Sequence, residues 1–415
     1  MKIFICHQYA IAPHQPGVTR HYLLARELIR HGHDVTIIAA AKSHKNPQGC
    51  NLQSREGARL ENCQGVPFLW LRTPSSSGGQ IARVWNMLCF AWGLLFNPAV
   101  KNLGDADIVI GNTPDTFTAF GALLLSKTMK SRFILHVGDL WPESLIDLGG
   151  ISKWHPFILL VGVIERYLCR AAEILITPLP RADTLLLQKG ARKVIHIPIV
   201  VDLLQVPLTP LPENKTFTFM YAGSMGLGNG LPGLLRAIGV FEKKYGKDLC
   251  CFRLVGDGPE MPALKKMAQD LSLSGVVFEP PVAKEKIFSV LSEADAFIFN
   301  CPDADVFRTS GISPNKLFDF MACARPIVFG CSAANNPITD AKAGLSVSAD
   351  DSDAMAEAIV QMIQLETKKR QEMASSARSY ILVSYQADTI GKLLEKKLLS
   401  VVGNSRFDDR KKLAV

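Results

Sequence analysis

The stretch "DAFIFNCPDADVFRTSGISPNKLFDFMACARPIVFG", residues 295–330, decides the fold. An apolar run of strand length leads through a polar turn into an apolar helical segment, an Arg-Pro break and a second apolar run. Strand, helix and strand in that order make a parallel βαβ unit. Ser313 reads as the helix N-cap and Pro314 as its first residue, which puts Lys316 at the third helical position. Asn315 lies beside it and Asp319 one turn on. A lysine there faces the positive end of the helix dipole, at a cost of about 0.3–1 kcal/mol. Helix-terminal amides with a lysine suit a diphosphate, and an aspartate one turn deeper suits ribose hydroxyls. The plainer alternative is a solvated Lys–Asp pair on an amphipathic helix.

The same alternation extends in both directions. Upstream come "FTFMYAG", "CCFRLVGDG" and "GVVFEPPV", each followed by a helical pattern. Earlier still, "KIFICHQ", "DVTIIAA", "DIVIGN" and "FILHVGDL" repeat it. Residues 198–215, with four prolines and no helical period, read as a linker. The expected organisation is a doubly wound domain over 1–197, a second over 216–385, a closing helix over 386–403 packing back on the first domain, and a basic tail over 404–415.

A chain of 415 residues, 48% hydrophobic and 20% charged, has ample core for two such domains. No run reaches the roughly 18–20 apolar residues of a membrane span, and the opening "MKIFICHQY" is too short for a secretory segment. A cytoplasmic location is expected. The ten cysteines show no Cys-x-x-Cys spacing and read as free thiols rather than a metal site or disulfide frame. Residues 1–205 carry net charge +7 and residues 206–415 net +1, together the chain's +8. All nine histidines lie between His7 and His196, so the first half favours an anionic partner and must supply any catalytic histidine.

Doubly wound sheets bind ligands beyond the carboxyl ends of their strands. At those ends the second half offers Gly223, Ser224, Gly226, Gly228, Asn229 and Gly230, then Gly256, Asp257 and Gly258, then Val282. The glycines let backbone approach a phosphate closely; a flexible turn is the competing reading. A nicotinamide enzyme would need G-x-G-x-x-G after the first strand, where only Gly17 stands, and an acid ending the second strand, which Asp34 instead begins. Hydrolase chemistry fails for want of a G-x-S-x-G elbow. Asp303 and Asp305 follow a strand and are the better placed Asp-x-Asp metal candidate, though a solvated loop fits them more simply. His31 and His33 close a helix and read as surface.

In the first half, "HVGDLWPESL" places His136 and Asp139 at a strand end, toward a sugar or acceptor hydroxyl, or with Asp139 as a structural cap. The helical pattern "RVWNMLCFAWGLLF" puts Trp85, Leu88, Cys89, Trp92, Leu95 and Phe96 on one face. That face reads first as core-directed; the second reading is a helix lying in a bilayer interface.

Taken together, "GVTRHYLLARELIRHGHDVTIIA", "HVGDLWPES", "YAGSMGLGNG", "VGDGP" and "GISPNKLFDFMACARPIV" resemble glycosyltransferase family 4, over about residues 1–395. They are most similar to its WbuB-like subgroup of O-antigen N-acetyl-L-fucosamine transferases. The resemblance implies an α/β GT-B fold, two doubly wound Rossmann-like domains facing a cleft. It implies a retaining transferase with a UDP-sugar donor on the second domain and a lipid-linked saccharide acceptor on the first. Neither metal nor cofactor is implied, nor a nucleic-acid partner; the implied place is the inner face of the cytoplasmic membrane. Lys316, His136 and Asp139 take the catalytic positions, and His14, Gly17 and Arg20 the acceptor side. Two departures stand out. The acidic motif of the family falls at Gly311 and Asp319, so its first acid is absent, and the donor-loop Arg and Lys fall at Ser224 and Asn229. Lys316 is left as the cation for the diphosphate. A nucleotide-sugar epimerase and a non-catalytic two-lobed binding protein share the same fold and remain rivals.

Overall fold

The computed structural model describes residues 1–15, 17–43, 49–74 and 79–412, with side chains through 403. The chain divides into two compact units, one of Met1–Ile146, Gly150–Val200 and Ala387–Val415, the other of Asp147–Gly149 and Val201–Gln386.

The first unit is built on β1 (Lys2–Cys6), β2 (Asp34–Ala40), β3 (Ala58–Cys63), β4 (Val66–Leu71), β5 (Ile108–Asn112), β6 (Arg132–His136), β7 (Ile174–Thr177) and β8 (Val194–His196). They form one sheet in the order β3-β4-β2-β1-β5-β6-β7-β8, parallel except for the β3–β4 pair. Apart from Lys2 at one start and Asn112 at the other end, strands such as "KIFIC" and "IVIGN" carry no polar side chain, because helices cover both faces of a parallel sheet. In register, Ile3 lies between Val35 and Ile108, so the direction of winding reverses between β1 and β5. That reversal opens a crevice at the ends of β1 and β5. The antiparallel β3–β4 edge is an addition to the alternation expected above. Its turn, Gln64 and Gly65, takes positive φ at both residues, the geometry that matches hairpin twist.

The helix Ala387–Lys412 belongs to this unit and lies on the helix Arg20–Arg30, where Gly391 admits the Glu27 side chain. Its Glu395 takes His31 Nδ1 and His33 Nε2, each at 2.9 Å, so these histidines are not the free surface pair expected of them. Its backbone stays helical to Lys412; the tail side chains from 404 lie outside the described residues.

The second unit holds β9 (Phe217–Ala222), β10 (Cys250–Val255), β11 (Val276–Glu279), β12 (Ala296–Asn300), β13 (Ile327–Gly330) and β14 (Gly344–Val347). All are parallel, in the order β11-β10-β9-β12-β13-β14, and the winding reverses between β9 and β12. The Arg-Pro break between the opening helix and β13 has a physical cause. Arg325 is fully buried, and its guanidinium donates to the carbonyls of Ala294, Ser292, Cys323, Ala324, Thr209 and Pro210. One side chain thereby ties the segment around Thr209 to the sheet.

Two expectations need correcting. The helix carrying Lys316 spans Asn315–Ala322 with Pro314 at its N-cap and no side-chain cap, so Ser313 does not cap it and Lys316 stands at the second helical position. The helix Gln80–Phe96 buries Asn86, Met87, Phe90 and Leu94, and leaves Trp85 and Trp92 exposed, so the tryptophan face is not core.

Candidate active site

In the second unit the site assembles where the winding reverses. Past β9 the backbone turns at Gly223, and past β10 at Gly256, with φ of +148° and +143°. A Cβ on Gly256 would stand 2.0 Å from the Gly223 carbonyl oxygen, and one on Gly258 2.3 Å from that of Met225. These two loops are laid directly on each other, which only glycine allows, and Met225 N donates to Asp257 O at 2.8 Å to hold them. Gly230, in the left-handed region at φ +59°, closes the first loop against the Asn300 carbonyl and starts the helix Leu231–Tyr245.

Lys316 reaches into this loop. Its Nζ donates to Asn229 Oδ1 at 2.6 Å and to the Tyr221 hydroxyl, and sits 4.6 Å from the Tyr221 ring centroid and 5.5 Å from that of Phe299. A Cβ on Gly223 would stand 2.9 Å from the same ammonium. Tyr221 in turn donates to Ser224 O at 2.7 Å, and Asn229 Nδ2 to Ser224 Oγ at 3.3 Å. Both partners of the ammonium are neutral; among the described residues no carboxylate pairs with it. Burial pushes Lys316 down to about 7. An ammonium held by dipoles and ring faces, without a counter-charge, is prepared for an anion that comes from outside.

Asp319 stands one turn along the same helix. Burial pushes it up to about 7, and the Lys284 charge opposes the rise. Lys284, two residues past half-buried Val282, has a buried Nζ with no hydrogen-bond partner among the described residues and is itself pushed down by burial to about 8. Sequence reasoning passed over Lys284 and Tyr221. The signal for the first was a lysine just beyond the end of β11; for the second, the last aromatic before a glycine loop.

Gly311 accounts for the missing acid. Its φ of +78° with extended ψ suits glycine, so a glutamate there would be strained. Asn335 pins the neighbouring Ile312, accepting from its N–H at 2.7 Å and donating to its carbonyl at 3.1 Å. Ser313, Pro314 and Asn315 follow, all half-buried. Gly226 is half-buried and Asp257 exposed, its carboxylate accepting from Gly258 N at 2.7 Å. Asp303 and Asp305 are both bonded to Arg308, and no metal-holding cluster occurs among the described residues.

The first unit gathers a different set at the ends of β1, β5 and β6. The rings of His7 and His21 lie 4.2 Å apart and those of His21 and His136 5.2 Å apart. Asn112 Nδ2 donates to Cys6 O, so its Oδ1 is the acceptor and His21 Nε2 donates to it at 2.7 Å. Burial, then the charge of Arg20, pushes His21 down to about 4; the same causes hold His136 well below the usual imidazole value. Neutral rings result, and both nitrogens of buried His136 lack a hydrogen-bond partner among the described residues. Arg20 is buried, pushed down to about 9, and donates to Ile197 O at 2.7 Å, which ties it to the backbone rather than to solvent. Asp139 is half-buried, with its carbonyl accepting from Thr113 Oγ1 at 3.2 Å; His14 and Gly17 are exposed. Of this group sequence reasoning singled out His136 and placed His7 and Asn112 in the segments at strand ends, but passed over His21.

Residues 17–199 match the family described as glycosyl transferase 4-like domain, and residues 216–365 that described as glycosyl transferases group 1. The chain is a glycosyltransferase. Among its relatives is the Escherichia coli (strain K12) protein named as colanic acid biosynthesis glycosyl transferase WcaI, 25% identical over 65% of this chain and 69% of that protein. The fold is GT-B. Sucrose-phosphate synthase from Thermosynechococcus elongatus superposes with a TM-score of 0.74 at 14% identity, covering 97% of this chain and 99% of that one. Anabaena HepE, solved in complex with UDP-glucose, superposes with a TM-score of 0.67 at 15% identity, covering 96% and 100%.

Proposed function

We propose that this glycosyltransferase moves a hexose-type sugar, deoxy or N-acetylated, from a UDP donor to a lipid-linked saccharide, with retention, in the assembly of O-antigen or another surface polysaccharide. The acceptor lies at the inner face of the cytoplasmic membrane, and the reading places the protein in function with the WbuB-like transferases. The observation that carries the donor assignment is the Lys316 ammonium, held by Asn229 and Tyr221 beside the glycine loop with no carboxylate among the described residues to neutralise it. Support for the sugar class and setting comes from WcaI, named for colanic acid biosynthesis, and from HepE, whose complex holds UDP-glucose.

The chemistry follows from the charges. Breaking the sugar–phosphate bond builds negative charge on the leaving diphosphate. Lys316 and the backbone N–H groups around Gly223 and at the start of the Lys316 helix stabilise that charge most where it is greatest, in the transition state. Asp319 accepts from ribose hydroxyls. The loops at Gly256, Asp257, Gly258 and Val282 frame the base. On the acceptor side, His136 and Asp139 supply hydrogen bonds to hydroxyls; His136, being neutral, donates from one nitrogen and accepts at the other. Incubating the protein with UDP-glucose and UDP-N-acetylhexosamines tests the reading: UDP release with or without acceptor supports it. Interconversion of UDP-sugars without release would make the protein an epimerase, and tight binding with neither would make it a binding protein.

A further inference from the structure

The helix Gln80–Phe96 is apolar on two sides. One side packs into the first unit through Met87, Phe90 and Leu94. The other, at spacings of three and four residues, points to solvent: Ile81 is 86% exposed, Trp85 59% and Trp92 66%, with Leu88 and Phe96 also exposed. A helix that stays this apolar on its solvent face needs a partner. The surface does not stop there. Gly121 of the neighbouring helix Thr116–Thr128 lies tight against Ala91, where an added Cβ would be 3.1 Å from the Ala91 backbone. Beyond it, Phe120 meets Tyr167 at 6.1 Å between rings, and the helix Pro156–Ala171 continues the strip with exposed Leu159, Leu160 and Val163.

The charges around the strip are of one sign. Residues 80–101, 116–130 and 150–171 carry two, two and three Lys or Arg respectively, and a single carboxylate, Glu165. That carboxylate is buried and bonded to Lys189, so it contributes nothing to the outer surface. The cations border the aromatics: Lys127 Nζ lies 3.1 Å from the Tyr167 hydroxyl, and Lys153 Nζ 5.5 Å from the ring of Trp154, which is 73% exposed.

We infer that this three-helix face docks on an anionic bilayer, with Trp85, Trp92 and Trp154 at the headgroup level and the lysines and arginines on lipid phosphates. Tryptophan with a basic polar border is the composition that such an interface selects. A second copy of the chain fits poorly, because a twofold contact would set these basic helices against each other with no carboxylate to answer them. Among the described residues no helix is long and apolar enough to cross a membrane, so attachment through this face is by surface contact. The inference extends the proposed function by naming the surface that meets the membrane, and its test uses no sugar donor, so the two stand or fall separately.

The full chain is mixed with vesicles of phosphatidylcholine and phosphatidylglycerol, three parts to one, and with phosphatidylcholine alone. Co-sedimentation with the anionic vesicles, weakened by salt and accompanied by a blue shift of tryptophan emission, is expected. The double variant Trp85→Ser/Trp92→Ser should lose at least tenfold in vesicle binding at an unchanged melting midpoint. If that variant does not fold, Arg83→Gln/Lys153→Gln/Arg166→Gln carries the test, with a similar loss on anionic vesicles. Wild-type protein that ignores anionic vesicles, or variants that bind as well as wild type, would overturn the inference. So would a concentration-dependent dimer that the tryptophan variant abolishes, which would give the face to a second copy.

Discussion

Replacing Lys316 by methionine keeps most of the side-chain volume between Tyr221 and Phe299 and removes only the charge. The loss can be sized from the site. Lys316 has neutral partners and two ring contacts, so no buried carboxylate is orphaned by the change. What disappears is a charge-assisted contact to the diphosphate, about 1.5–3 kcal/mol, or roughly 10–150-fold in UDP affinity. The pH dependence gives a second handle. With its folded value near 7, below the roughly 10.4 of a free lysine, the group is partly neutral in the unliganded protein. A diphosphate wants it charged, so wild-type affinity should fall as pH rises above about 7, by up to about tenfold per unit. The stability sign runs the other way. The unfolded chain binds the extra proton between the two values, so this group makes stability rise with pH across that window. The methionine variant should lack the rise and be no less stable than wild type at pH 6. Calorimetric titration with UDP in two buffers of different ionisation enthalpy reads affinity and proton uptake together. Equal UDP affinity in variant and wild type, or proton uptake that survives the substitution, would refute the diphosphate role of Lys316.

Other sites give sharper tests of individual contacts. Lys284→Met removes the charge that opposes protonation of Asp319, so the pH below which UDP affinity declines should move upward; an unmoved acid limb in the same titration would detach Lys284 from the nucleotide site. Gly258→Ala forces a Cβ to within 2.3 Å of the Met225 carbonyl oxygen, and should either abolish UDP protection against thermal unfolding or prevent folding of the second unit, while wild-type protection would mean that the two loops part easily. Arg325→Leu leaves several buried carbonyls without a donor and should cost on the order of 3 kcal/mol in urea unfolding. A shift below about 1 kcal/mol would mean that water replaces the guanidinium there.

The alternation of apolar runs and amphipathic segments was enough to establish two parallel sheets, because a strand covered on both faces must be apolar throughout and the helices between must carry a stripe. The same local logic placed Gly223, Gly256 and Lys316 at strand ends, since position after a strand is a property of sequence order. It failed where the outcome depends on which of two apolar faces finds a partner. Trp85 and Trp92 occupy spacings as suitable for a core as Phe90 and Leu94, and only packing against the neighbouring helix chose the latter pair. It failed again at the β3–β4 edge, where pairing between two strands, not the character of either, makes the hairpin.

What the sequence determined by itself was the fold class and the place in the chain of the glycine turns that follow the strands of the second unit, because strand–turn–helix order and glycine content are local. Tertiary structure alone decided what Lys316 touches and that His7, His21, Asn112 and His136 meet. These groups come from separate strand ends and helices, and only the reversal of winding in each parallel sheet brings them together.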